Sequence, residues 1–120
     1  KCLIVGEPDK LIAVESELSL LMQGTISVYR SEPYFLELVP PGIDKARSLA
    51  VLLEKLNMKK EEMVAIGDGY NDLSMIKFAG LGVAMGNAQE PVKKAADYIT
   101  LSNDEDGVAV VVERFFSASK

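Results

Sequence analysis

An α/β fold built on a parallel sheet is the prediction for this 120-residue chain, and three observations carry it. After Pro41, helical and strand-like segments alternate strictly, which means parallel strands joined by crossover helices. The strand-like runs are short, apolar and bounded by turn residues, as in "MVAIG" and "LGVAM". The segments between them carry apolar residues at the three- and four-residue spacing of a helix face.

Taken in order, Cys2 to Val5 is an apolar run ending at Gly6 and is expected to be a strand. Pro8 suits the first turn of a helix, Leu11, Val14, Leu18 and Leu21 share one face of it, and Gly24 closes it. "TISVYRS" and "YFLELVP" are rich in β-branched and aromatic residues and predict a pair of strands around Ser31 to Pro33. Pro40, Pro41 and Gly42 form the hinge, and a boundary there separates residues 1–39 from residues 40–120. Asp44 is placed to cap a helix whose apolar face is Ala46, Leu49, Leu53 and Leu56. "MVAIG" is the next strand. A helix from Asn71 to Ala79 turns Leu73, Ile76 and Ala79 inward, and "LGVAM" is the strand after it. A short helix begins near Pro91, "DYIT" is a strand, and Val108, Val111, Val112 and Phe115 line a last helix.

Composition narrows the chemistry. Hydrophobic residues at 48% and charged residues at 26% describe an ordinary globular domain. A net charge of -5 argues against nucleic-acid binding, which needs clustered Lys and Arg. No apolar run approaches the roughly 20 residues of a membrane span, and "KCLIVGEPDK" is interrupted too soon for a signal peptide. Cys2 is the single cysteine, so no internal disulfide forms, and a reducing cytoplasm is the expected setting. Histidine is absent. That removes the usual base of Ser and Cys hydrolases and the commonest zinc ligand, leaving carboxylates with an oxygen-loving metal as the leading chemistry.

The stretch "VAIGDGYND", Val64 to Asp72, fits that chemistry. In an open parallel sheet, ligands bind beyond the carboxyl ends of the strands. Gly67 and Gly69 permit close backbone approach there, Asp68 leaves the strand, and Asn71 and Asp72 open the following helix. Two carboxylates about 4 Å apart repel by roughly 4 kcal/mol at an effective dielectric of 20. A divalent cation relieves this, and Mg2+ suits a site with only one or two carboxylates. An Asp and an Asn at a helix start are otherwise simple caps. An EF-hand loop counted from Asp68 fails, because Ala79 stands where a bidentate Glu is needed. A dinucleotide fingerprint fails because Asp72 stands where its third glycine belongs. "GLGVAMG" lies across a strand, so its glycines are packing positions. Lys45 follows the hinge, and its point charge suits a phosphoryl group, although a first-turn lysine is commonly just solvated.

Taken together, "SEPYFLELVPPGIDKARSL", "VAIGDGYNDLSMIKFAGLGVAMGNAQEPVKKAADYIT" and "SNDEDGVAVVVERF" resemble the haloacid dehalogenase superfamily of phosphohydrolases, and most closely its Cof-type branch. These stretches cover most of residues 31 to 116, in the family's order and spacing. The resemblance implies a Rossmann-like parallel sheet with crossover helices, here incomplete, preceded by the end of an α/β cap at residues 1–39. It makes Lys45 the phosphate-binding lysine, Asp68 a metal ligand, and Asn71 and Asp72 the residues supporting phosphate and metal. It also implies Mg2+ as cofactor and a small phosphorylated metabolite, such as a sugar phosphate, as substrate. Ala46 stands where the family has glycine after the lysine.

The family's nucleophile lies in an Asp-x-Asp-Gly motif ahead of the cap, and nothing before Lys45 provides it. The expectation is therefore the C-terminal part of a phosphatase that works through an aspartyl-phosphate, inactive alone. Its partner would be the missing N-terminal segment, or it would self-associate. Two other readings share the motif: the phosphorylation domain of a P-type ion pump, and a non-catalytic module binding phosphate or metal.

Overall fold

A computed structural model describes residues 1–117, which divide into a unit Lys1–Ile43 and a second unit beginning at Asp44. The division falls just after the Pro40-Pro41-Gly42 turn, where Gly42 takes φ 71, a left-handed conformation that favours glycine.

The first unit contains β1 (Cys2–Val5), α1 (Pro8–Leu21), β2 (Ser27–Glu32) and β3 (Phe35–Val39). Its sheet is antiparallel in the order β1-β3-β2, with Leu3 and Tyr29 both opposite Glu37. Pro8 starts α1 as predicted, where its missing N–H would have had no helical partner. The helix packs on β2 and β3, Leu11 and Leu36 are buried, and Arg30 Nε donates to Glu15 Oε2 at 2.6 Å. Burial fades along the helix, so Leu21, expected on the inner face, is 72% exposed. Alternation along β3 puts Glu37 on the face opposite Leu36. There it is buried, with Lys1 Nζ at 2.8 Å and the Tyr29 hydroxyl donating to it at 3.2 Å. The Lys1 hydrogen bond holds the Glu37 carboxyl below its ordinary value although burial opposes this.

The second unit runs α2 (Lys45–Leu56), β4 (Val64–Gly67), α3 (Leu73–Phe78), β5 (Leu81–Ala84), α4 (Glu90–Ala95), β6 (Tyr98–Ile99) and α5 (Gly107–Phe116). The sheet is parallel, as predicted, in the order β4-β5-β6. Ile76, Ala84, Met85, Ala88 and Val92 form the core, with Ile66, Leu73, Met75 and Ala96 packed against it. Gly82 lets α3 lie close on the sheet, since a Cβ there would sit 2.1 Å from the Ile76 carbonyl oxygen. The Asp44 side chain accepts from the Arg47 N–H at 2.7 Å and so caps α2 as expected.

Two expectations need correction. The helix predicted from Asn71 starts at Leu73, because Tyr70–Asp72 forms a 3-10 turn closed by the Asp72 N–H on the Gly69 carbonyl at 3.0 Å. The apolar faces of α2 and α5 are also less covered than their periodicity suggests. Leu53 and Val111 are buried, but Leu56, Val108, Val112 and Phe115 are 57, 50, 49 and 41% exposed. A 3.6-residue period fixes which side chains share a face and does not supply the surface that covers them.

Candidate active site at the carboxyl end of β4

Strand β4 ends at Gly67, whose carbonyl accepts from the Met85 N–H at 2.9 Å. Glycine is required here by a close approach: a Cβ would lie 2.4 Å from the Asp72 Cβ. That approach exists because Asp72 folds back over the strand end, where it is only 5% exposed. Its Oδ2 accepts the N–H groups of Asp68 at 2.9 Å and Gly69 at 3.2 Å, and its Oδ1 accepts from Lys45 Nζ. Burial opposes ionisation of this carboxyl, but the Lys45 hydrogen bond and the two N–H groups outweigh it and hold Asp72 below the ordinary aspartate value.

Lys45 opens α2, and its helix start is tied to α3 by the Ala46 N–H on Ser74 Oγ at 3.4 Å. The lysine side chain is 46% exposed, so an ammonium pinned on one side still faces solvent on the other. Asp68 is exposed while its peptide is held at both ends, by Asp72 Oδ2 on its N–H and by the Gln89 N–H on its carbonyl at 3.1 Å. Asn71 is half-buried in the 3-10 turn, its Oδ1 close over Gly69, where a Cβ would meet it at 2.7 Å.

The fold thus joins Lys45 directly to Asp72, and Asp72 to the Asp68 peptide. The charge of Asp72 is met by Lys45, which spacing along the chain gave no sign of. A carboxylate offers about four lone-pair sites, and the three hydrogen bonds leave Asp72 one, on Oδ1. Among the described residues, no group of three or more Asp, Glu, Cys or His side chains could hold a metal. The carboxylates singled out at this strand end are two, Asp68 and Asp72, and a set drawn from them is sparse, anionic and oxygen-only. It fits Mg2+, which takes one or two carboxylates and keeps its waters, and it does not fit zinc. Ser74 and Gln89 were not singled out from the sequence, where each is an ordinary polar residue beside a helix start.

A literal Asp-x-Asp-Gly string does occur, at Asp104 to Gly107. It belongs to a turn: Glu105 Oε2 accepts from Ser102 Oγ at 2.7 Å, and Asp106 takes φ 58 as it leads into α5.

A sequence model of the haloacid dehalogenase-like hydrolases matches residues 1–112. The chain belongs to this family. Among its hydrolase relatives, the 5-amino-6-(5-phospho-D-ribitylamino)uracil phosphatase YcsE of Bacillus subtilis is 50% identical over 90 residues, covering 75% of this chain and 36% of that protein. The crystal structure of a haloacid dehalogenase-like hydrolase from Bacteroides thetaiotaomicron shares 76% identity at a TM-score of 0.85, over 96% of this chain and 43% of that one. A solved subclass IIB sugar phosphatase of the same superfamily, BT4131, shares 37% identity at a TM-score of 0.76, over 86% of this chain and 40% of that one. The chain therefore spans less than half the length of these hydrolases. Among the described residues, no helix is long and apolar enough to cross a membrane.

Proposed function

We propose that the protein containing this chain is a Mg2+-dependent phosphatase of small phosphorylated metabolites, with a sugar phosphate as the leading class. The observation that carries this reading is the Lys45–Asp72 pair at the end of β4, with Asp72 also gripping the Asp68 and Gly69 N–H groups. Residues 1–39 are the end of a cap and residues 40–120 the C-terminal half of the catalytic core. The lone Cys2 and the absence of a long apolar run favour a cytoplasmic setting.

In this assignment the exposed Asp68 carboxylate is the metal ligand, and Asp72 can join it only through the lone pair left on Oδ1. The ammonium of Lys45, fixed by Asp72, donates to a phosphoryl oxygen, and the Asn71 amide supports the same group. When bound, Mg2+ would neutralise charge on the phosphoryl oxygens, the main catalytic task in such transfers. The attacking aspartate lies outside residues 1–120 on this reading. Its oxygen bonds to phosphorus as the ester P–O bond breaks, and a second aspartate protonates the departing alcohol. That aspartate then takes a proton from water, which releases inorganic phosphate and restores the nucleophile.

The test is hydrolysis of p-nitrophenyl phosphate by the full-length protein, with and without Mg2+. Expected are Mg2+-dependent turnover and its loss in Asp68→Ala. Turnover that is indifferent both to Mg2+ and to Asp68→Ala would remove the assignment.

A further inference from the structure

Among the side-chain nitrogen and oxygen atoms of the described residues, one is buried without a hydrogen-bond partner, and it belongs to the loop that braces Asp68. The Gln89 N–H holds the Asp68 carbonyl at 3.1 Å, and the Gln89 carbonyl accepts from Val92 and Lys93 at 3.0 and 3.1 Å as α4 begins. Both main-chain groups of Gln89 are thus in use. Its side-chain Oε1 is buried and has no donor within hydrogen-bond reach. Its neighbours Ala88 and Val92 are core residues, 7% and 0% exposed. An apolar side chain of the same length would fill this position at lower cost, because a buried acceptor without a donor forfeits its hydration. A donor from outside the protein is the physical remedy, and an ordered water is the smallest one that bonds several groups at once.

We propose that Gln89 is a positioning residue for Asp68: its Oε1 accepts from an ordered water beneath the loop after β4, and this fixes the Gln89 N–H that holds the Asp68 peptide. With the Asp72 carboxylate on the N–H of Asp68 and Gln89 on its carbonyl, the peptide groups on both sides of Asp68 are held. The exposed carboxylate then projects from a fixed Cα position. A ligand held this way binds its ion without first ordering its own backbone, which is how residues behind a metal ligand raise affinity. The proposal rests on Asp68 being a Mg2+ ligand, as set out above.

The experiment is calorimetric titration of Mg2+ into the full-length protein and its Gln89→Met and Gln89→Glu variants, alongside thermal unfolding without metal. Gln89→Met is expected to weaken Mg2+ binding about tenfold. Gln89→Glu, which keeps an acceptor at the same reach, should stay within about threefold of the parent, on the same scale of outer-residue effects. Gln89→Met with parental Mg2+ affinity and an equal or higher Tm would overturn the proposal, showing the buried oxygen to be a packing fault. A high-resolution crystal structure checks it without any variant. Ordered water within hydrogen-bond distance of Oε1 supports the role, and a dry, unpartnered Oε1 overturns it. Failure of the parent protein to bind Mg2+ would instead remove the Asp68 assignment, which separates the two failures.

Discussion

Asp72 is the residue on which the candidate site turns, and its behaviour with pH can be worked out. Its folded pKa lies below the ordinary 3.8, so its hydrogen bonds contribute stability above that value. The contribution is lost as pH falls through the lowered folded value. In urea unfolding, the stability gap between the parent and Asp72→Asn should therefore be widest near neutrality and shrink below about pH 4. A gap of constant size would show that the carboxylate charge has no part in it. In the full-length protein, on the proposed phosphatase reading, Lys45→Ala should reduce kcat about 100-fold through loss of one preorganised charge, whereas the exposed Lys94→Ala should leave kcat near the parental value. Equal behaviour of the two variants would demote Lys45 to a solvated helix residue. Gly67→Ala places a Cβ 2.4 Å from the Asp72 Cβ, and the forced shift should cost about 1–3 kcal/mol of stability together with most of the activity.

At the scale of elements, α3 decides whether the loop after β4 is rigid. It is a six-residue helix, too short to hold itself together in water, so its packing has to fix it. That packing runs through Ile76, which is 1% exposed, and through Gly82 on β5, which admits the Ile76 backbone. Ile76→Ala should cost about 2–5 kcal/mol in urea unfolding, against about 0.5 kcal/mol or less for Leu20→Ala on the exposed side of α1. The helices were legible from their periodicity and caps, and the strands from apolar, β-branched and aromatic runs bounded by turn residues. The start of α3 was not. A 3-10 turn and the first turn of an α-helix use the same Gly, Asn and Asp residues. The choice between them is made by where the Asp72 carboxylate finds its donors.

For the whole 120-residue chain, two exposed features act together. Strand β4 has no partner on its outer edge among the described residues, and a free strand edge invites pairing with another chain. The faces of α2 and α5 leave Val51, Leu52, Leu56, Val108, Val112 and Phe115 between 41 and 57% exposed. Residues 1–120 expressed alone should therefore self-associate at micromolar concentration and hydrolyse no p-nitrophenyl phosphate. Sedimentation and a Mg2+-supplemented assay check both. A compact monomer with a cooperative thermal transition would contradict the first expectation, and turnover abolished by Asp68→Ala in the isolated chain would contradict the second.

The sequence by itself determined the α/β class and the family, because periodicity, turn residues and the order of motifs are properties of the chain read along its length. It also singled out Lys45, Asp68, Asn71 and Asp72 as candidates. Only the tertiary structure decided what these residues do to one another. Lys45 and Asp72 lie 27 positions apart, and their pairing depends on α2 returning beside α3. The contrast between the two aspartates, one buried with three hydrogen bonds and the other exposed, follows from where β4 ends against the loop after β5. Linear spacing cannot express that, because burial and hydrogen-bond partners are set by chain segments that meet only once the sheet has formed.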